Sequence, residues 1–195
     1  MHTIEEIENY AKEHFVPIAR KQTTEFMLKL IKEKNYTSFL EIGTAIGYTS
    51  IILAKSFSKM KILTIEHDVS RALLAIENFS NFNVSSQIEM LIDDAITYLP
   101  KEKYDLIFID ASKKRNRFFL EKYAKYLNQN GTIIIDNMHL DDFWVGANKD
   151  KKEEYDRVNQ EFKEYILSCE KFDCTIYDDI GDGIAVISLK NNCTI

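Results

Sequence analysis

The sequence predicts an α/β fold: a doubly wound Rossmann-like sheet, mostly parallel, with an antiparallel hairpin at its C-terminal end and helices in front. Three observations predict it. Short, mostly apolar runs recur at 38–42, 61–65, 88–92, 106–109 and 132–135, as strands covered on both faces require. Stretches with helical spacing fall between several of them. Two further runs, 174–177 and 183–189, are separated only by the turn-rich Asp178-Asp179-Ile180-Gly181-Asp182, which predicts an antiparallel pair.

In chain order, residues 3–14 read as an amphipathic helix with Ile4, Ile7, Tyr10 and Ala11 on one face, and Pro17 interrupts it. A second helix, 23–34, places Phe26, Met27, Leu30 and Ile31 on its buried side. Helices are then expected at 48–56, 69–82, 117–127 and 151–168, between the strands. The count is two N-terminal helices, five β/α units and a closing hairpin. The 195 residues are 45% hydrophobic, enough for one domain with a full core. With two prolines and six glycines there is no Pro/Gly linker. We read 1–195 as a single domain whose first 36 residues form a helical cap.

The net charge of −6 argues against broad, sequence-blind nucleic-acid binding, which runs on phosphate neutralisation. DNA is not expected as a partner, whereas a local basic patch reading one folded RNA remains open. The three cysteines show neither metal spacing nor a disulfide framework, which favours a reducing compartment. The start of the chain is acidic and periodic, unlike a signal peptide. No apolar stretch approaches the ~20 residues of a membrane span. A cytoplasmic protein without a membrane partner is expected.

In a doubly wound sheet the ligand sits at the C-terminal ends of the strands. The predicted strands end on Glu41-Ile42-Gly43, Glu66-His67-Asp68, Asp93-Asp94-Ala95, Asp110-Ala111-Ser112-Lys113 and Asp136-Asn137. Each delivers a carboxylate to the same edge. Any one of them could be a helix cap. Together they point to a ligand, because burying carboxylates is costly unless they are paired or bound.

Gly43 and Gly47 flank a tight turn into the helix at 48–56, where backbone N–H groups point outward. A dinucleotide fingerprint would need G-x-G-x-x-G, and Ala45 and Tyr48 occupy the other glycine positions. A phosphate loop with its lysine is also missing. Glu41 would repel a pyrophosphate but could receive an ammonium group. Glu66 is placed to accept from a ribose diol, and Asp94-Ala95 to meet an adenine edge. The site calls for adenosine carrying a cationic amino-acid tail, without phosphates.

The segment Glu41-Ile42-Gly43-Thr44-Ala45-Ile46-Gly47-Tyr48-Thr49 resembles the first motif of class I S-adenosylmethionine-dependent methyltransferases. Within these, the chain resembles the cation-dependent O-methyltransferases related to catechol O-methyltransferase, over nearly its whole length. The resemblance implies cofactor contacts from Glu41, Gly43, Gly47, Thr49, Glu66, Asp94, Ala95 and Asp110.

Asp110, Asp136 and Asn137 offer two carboxylates and an amide oxygen, a set that suits Mg²⁺, Mn²⁺ or Ca²⁺. On spacing alone, Asp136 and Asn137 could equally cap a turn. The family's metal ligands fall on these three positions. Lys113 matches the family's base, which removes the acceptor hydroxyl proton; a cation nearby disfavours an ammonium, as a base requires. The other reading makes Lys113 a solvated member of the run Lys113-Lys114-Arg115-Asn116-Arg117. The implied reaction chelates two neighbouring oxygens of the acceptor, moves the hydroxyl proton to Lys113, and sends the oxyanion in line at the sulfonium methyl.

A catechol provides two such oxygens, and so does 5-hydroxyuridine. The segments His14-Phe15-Val16-Pro17-Ile18, Ala45-Ile46-Gly47-Tyr48 and Ile180-Gly181-Asp182-Gly183-Ile184-Ala185 resemble the bacterial tRNA 5-hydroxyuridine methyltransferases, which implies a wobble uridine of tRNA as acceptor and 5-methoxyuridine as product. The run 113–117, extended by Arg20 and Lys21, could meet tRNA phosphates, although basic residues are commonly only solvated. The alternatives are a small hydroxylated aromatic as acceptor, or a module that binds the cofactor without catalysis; the metal trio together with Lys113 speaks against the last. Asp93 stands where related chains often carry glycine. Phe143 or Trp144, in the acidic and aromatic segment after Asn137, could stack on a base or simply pack under the last helix, and His139 is read as structural. Family likeness implies a homodimer through the N-terminal helices and closing strands.

Overall fold

The computed structural model describes residues 1–139 and 149–190. Two helices, α1 (Ile4–Glu13) and α2 (Lys21–Lys34), precede β1 (Ser38–Ile42), α3 (Tyr48–Ser56), β2 (Lys61–Glu66), α4 (Val69–Asn81) and β3 (Ile88–Ile92). There follow β4 (Tyr104–Ile109), α5 (Asn116–Tyr123), β5 (Leu127–Asp136), α6 (Lys149–Ser168), β6 (Phe172–Tyr177) and β7 (Ile184–Leu189).

The seven strands form one sheet in the order β3-β2-β1-β4-β5-β7-β6. The pairings β2–β3, β1–β2, β1–β4 and β4–β5 are parallel. Strand β7 runs antiparallel between β5 and β6, so the closing hairpin inserts its second strand next to β5. The strand order reverses between β1 and β4, and the crevice outside that switch point is where such sheets take ligands.

Period-2 alternation sorts the strand residues between two cores. From β4, Leu106 and Phe108 join α1, α2, α3 and α4 on one face. Ile107 and Ile109 join α5 and α6 on the other. All four are fully buried, which explains why the strand reads as an unbroken apolar run. Truncating Phe108 to alanine would cost about 3–5 kcal/mol through the cavity left behind. Helix α6 buries Tyr155, Phe162 and Ile166 on one stripe.

Three elements differ from the sequence reading. Strand β5 begins at Leu127 rather than at 132, because the polar Asn128, Gln129 and Asn130 hide its first half. Helix α5 ends at Tyr123, where a 3₁₀ turn, Ala124–Tyr126, leads into β5. No α-helix joins β3 to β4, so four β/α units form where five were expected. That connection is a turn in which the Thr97 and Tyr98 N–H groups donate to Asp94 O. Among the described residues, no helix is long and apolar enough to cross a membrane.

Candidate active site

The turn after β1 packs tightly against the protein itself. Gly43 has φ +101°, and a Cβ there would lie 2.5 Å from Asp110 O. Gly43 N–H donates to Ile65 O, and Asp110 N–H donates to Ile42 O, both at 3.0 Å. The ends of β1, β2 and β4 are therefore joined at this glycine. Gly47 (φ +89°) precedes α3, and a Cβ there would lie 2.5 Å from Phe79 Cε1. The close approaches that demand glycine at 43 and 47 are thus to β4 and α4, whereas the sequence suggested a ligand.

Glu41 lies beneath this turn, 1% exposed, instead of open at the rim. Ser50 Oγ and Thr64 Oγ1 each donate to its Oε2 at 2.6 Å. Burial pushes its carboxyl up to about 7, against the pull of the Ser50, Thr64 and Thr49 hydroxyls. Thr49 is thereby brought to Glu41 from the first turn of α3. Ser50 and Thr64 were not singled out from sequence; their signal is a hydroxyl inside an otherwise apolar buried segment.

Glu66 is 5% exposed and holds two loops together. Its Oε2 accepts from Ala45 N–H at 2.9 Å, and its Oε1 accepts from His67 N–H at 3.0 Å and Asp68 N–H at 2.9 Å. Oε1 is filled by its two donors, but Oε2 carries a second lone pair, so Glu66 can clamp the turn and still accept from a ligand at Oε2. Asp94 is exposed and takes Ile96 N–H on Oδ1 at 2.8 Å. Ala95 O accepts from Lys122 Nζ at 2.9 Å and from Tyr123 OH at 2.8 Å. Helix α5 therefore fixes the height of this loop, which its apolar spacing did not reveal.

The second half of the site forms where β4 and β5 end. The last residues they pair are Ile109 and Ile135, so Asp110 and Asp136 follow side by side, with Asp136 still paired to Ile184 of β7. Lys113 Nζ donates to Asp110 Oδ1 at 2.8 Å. Asp136 is 1% exposed. Its Oδ1 accepts from Asn137 N–H at 2.8 Å, while its Oδ2 has no hydrogen-bond partner among the described residues. Burial first, and the Asp110 charge second, push Asp136 up to about 7, with Lys113 opposing. Asn137 adopts φ 60°, a left-handed conformation that asparagine tolerates. Its carbonyl accepts from Tyr155 OH at 3.1 Å.

This donor set fits a hard divalent cation. A buried carboxylate oxygen without a donor, beside a second carboxylate, is costly as it stands, and two carboxylates with an amide oxygen are oxygen ligands of the type Mg²⁺ takes. Among the described residues no group of three or more His, Cys, Asp or Glu assembles as a metal site, so any cation here would depend on the Asn137 amide and on water or acceptor oxygens.

The basic run is less cationic than its sequence suggests. Lys114 Nζ meets Glu154 at 2.8 Å, Arg117 Nε meets Glu121 at 3.0 Å, and Arg20 Nε meets Asp182 at 2.8 Å. The Arg117 guanidinium also lies 4.0 Å over the Tyr165 ring. Lys21 stands 3.9 Å from Glu25. His139 takes a packing role, with Nε2 3.1 Å from Asp178 O and its backbone N–H donating to Asp182 O at 2.8 Å. Phe143 and Trp144 lie outside the described residues.

An open seven-stranded sheet of this order, with β7 antiparallel between β5 and β6, has the architecture of Rossmann-like methyltransferases. A family model described as O-methyltransferase matches residues 3–190, and the chain belongs to that family. It is 28% identical to tapetum-specific methyltransferase 1 of Arabidopsis thaliana over 92% of this chain and 76% of the relative. It is also 28% identical to a catechol O-methyltransferase of Niastella koreensis, over 85% of this chain and 78% of the relative. Among solved structures, a Staphylococcus aureus protein provisionally assigned as a caffeoyl-CoA O-methyltransferase superposes with a TM-score of 0.85 at 26% identity, covering 96% of this chain and 92% of that one. An O-methyltransferase from Bacillus cereus, solved with S-adenosylhomocysteine, shares the fold with a TM-score of 0.78 at 24% identity, covering 96% and 90%.

Proposed function

We propose that this O-methyltransferase is cation-assisted: Asp110, Asp136 and Asn137 hold a divalent cation, Mg²⁺ in the first instance, beside the methyl donor. The observation that carries the reading is the buried Asp136 Oδ2, which lacks a donor among the described residues and lies next to the Asp110 carboxylate. When bound, the cation neutralises both carboxylates and lowers the pKa of an acceptor hydroxyl.

The chain's own residues do the rest. Glu66 and the Asp94–Ala95 loop receive the adenosine, and the turn 43–47 receives the amino-acid tail. Glu41 acts from below by fixing that turn through Ser50 and Thr64. Lys113, tied to Asp110 at 2.8 Å, is the base in this reading: its Nζ, in the unprotonated form, takes the proton of the acceptor hydroxyl. The oxyanion would form its bond to the methyl carbon as the S–CH₃ bond of the donor breaks and S-adenosylhomocysteine leaves, with positioning by these residues supplying most of the acceleration.

The acceptor we propose is 5-hydroxyuridine in tRNA, methylated to 5-methoxyuridine. Support comes from the likeness of the segments at 14–18, 45–48 and 180–185 to the tRNA enzymes. The second reading is a small catechol-type acceptor. Two observations favour it: Lys114 and Arg117 are engaged by Glu154 and Glu121, and relatives from Niastella koreensis and Mycobacterium tuberculosis are named catechol O-methyltransferases. Assembly as a homodimer is part of the proposal and is supported by Phe15, 90% exposed in the N-terminal segment; sedimentation checks it. The deciding experiment offers labelled S-adenosylmethionine with either tRNA bearing 5-hydroxyuridine or a simple catechol, each with and without Mg²⁺. Label in tRNA only with Mg²⁺ is expected. Label in the catechol alone would overturn the tRNA reading.

A further inference from the structure

The turn between β6 and β7, residues 178–183, folds back over the end of β5. Met138 N–H donates to Gly183 O at 2.9 Å, and His139 N–H donates to Asp182 O at 2.8 Å. A Cβ on Gly183 would fall 2.6 Å from the His139 ring. On its other side the turn rests on the start of α2. A Cβ on Gly181 would lie 2.5 Å from Thr23 Oγ1 and 3.1 Å from Arg20 Cβ. At this junction Asp182 Oδ2 accepts from Arg20 Nε at 2.8 Å and from Asn137 Nδ2 at 3.4 Å.

That contact decides which way the Asn137 amide faces. A carboxylate only accepts hydrogen bonds. The amide must therefore present its NH₂ to Asp182, and its oxygen points the other way. The Asn137 backbone is held at both ends, by Asp136 Oδ1 on its N–H and by Tyr155 OH on its carbonyl. The side-chain orientation is what Asp182 then sets. The choice matters, because an amide oxygen ligates a hard cation and an amide NH₂ repels it.

We infer that Asp182, anchored by Arg20, is a positioning residue that turns the Asn137 amide oxygen to the cation side of the site. The inference rests on the cation reading above. Partners that orient a ligand from behind typically carry about 10–100-fold in metal affinity.

The test measures Mn²⁺ affinity by electron paramagnetic resonance, with S-adenosylhomocysteine affinity measured in parallel. Asp182→Ala is expected to weaken Mn²⁺ at least about tenfold and to leave S-adenosylhomocysteine binding within about twofold. Asp182→Asn keeps an acceptor for the Asn137 amide and is expected to stay within about threefold of the parent in Mn²⁺ affinity. Unchanged Mn²⁺ affinity in Asp182→Ala overturns the inference. So does an equal loss in Asp182→Asn, which would mean that the charge at 182, and not its hold on Asn137, attracts the cation. Should Asp182→Ala also lose S-adenosylhomocysteine, Arg20→Gln replaces it: a loss of roughly threefold supports the inference and no loss overturns it. A parent that binds no Mn²⁺ defeats the cation reading itself, and the inference with it.

Discussion

Substituting Gly43 by alanine tests the packing at the centre of the site. The residue sits at φ +101°, and the added Cβ would meet Asp110 O at 2.5 Å and Asp110 C at 3.0 Å. Two costs add. A non-glycine residue in that backbone region carries about 1–3 kcal/mol of strain. Forcing a methyl against backbone that cannot rotate away adds about 1–3 kcal/mol. The expected loss is about 2–6 kcal/mol, or roughly 4–24 °C in Tm at about 2–4 °C per kcal/mol for a domain of this size. The clash pushes on Asp110, one of the three residues proposed to hold the cation, so Mn²⁺ affinity should fall along with stability. Calorimetry with and without S-adenosylhomocysteine, followed by a Mn²⁺ titration below Tm, reads both effects. A Tm within about 2 °C of the parent, a shift expected from less than 1 kcal/mol, would refute the reasoning.

Two further perturbations address the residues under and beside the turn. Glu41 is raised from 4.5 to about 7 by burial, so the native state holds its proton more tightly than the unfolded chain. Its contribution is greatest below pH 4.5 and is lost as pH rises through about 7, worth about 3 kcal/mol across that window. Glu41→Gln, which does not titrate, should flatten the fall in Tm of the ligand-free protein between pH 5 and pH 8, and an unchanged slope would remove Glu41 as its cause. Lys113→Met should lower kcat by about 10²–10⁴, the range of a lost general base, with S-adenosylhomocysteine affinity unchanged; a kcat within a few-fold of the parent would leave Lys113 as an ion-pair partner of Asp110 and nothing more.

Much of this was legible in the sequence for a physical reason. A strand buried on both faces does not alternate, so 38–42 stands out with its true ends; 88–92, at the sheet edge and half exposed, was readable because its side chains are still mostly apolar. The helix at 48–56 is bounded by Gly47 and was likewise readable. Strand β5 was read at only its buried half, because its first residues carry polar side chains although the backbone still pairs. The chemistry of the strand ends placed Asp110, Lys113, Asp136 and Asn137 together, and the fold brings them together since β4 and β5 are neighbours. What stayed hidden were contacts between distant segments. The support of Ala95 by Lys122 and Tyr123, and the link from Arg20 through Asp182 to Asn137, span tens to more than a hundred residues and leave no local pattern. The partner of Lys114 was hidden for the same reason, since the carboxylate that meets it lies on α6, 40 residues away.

The proposed methyl acceptor is an oxygen held on a cation. The most direct test follows the initial rate of methyl transfer in the parent as Mg²⁺ is removed with a chelator and then restored, with Asp110→Ala alongside. Several kcal/mol of charge stabilisation correspond to a loss on the order of 10²-fold or more in chelator. Full recovery on adding Mg²⁺ is predicted, together with a low rate in Asp110→Ala that Mg²⁺ no longer changes. Methyl transfer that continues undiminished in chelator would contradict the account.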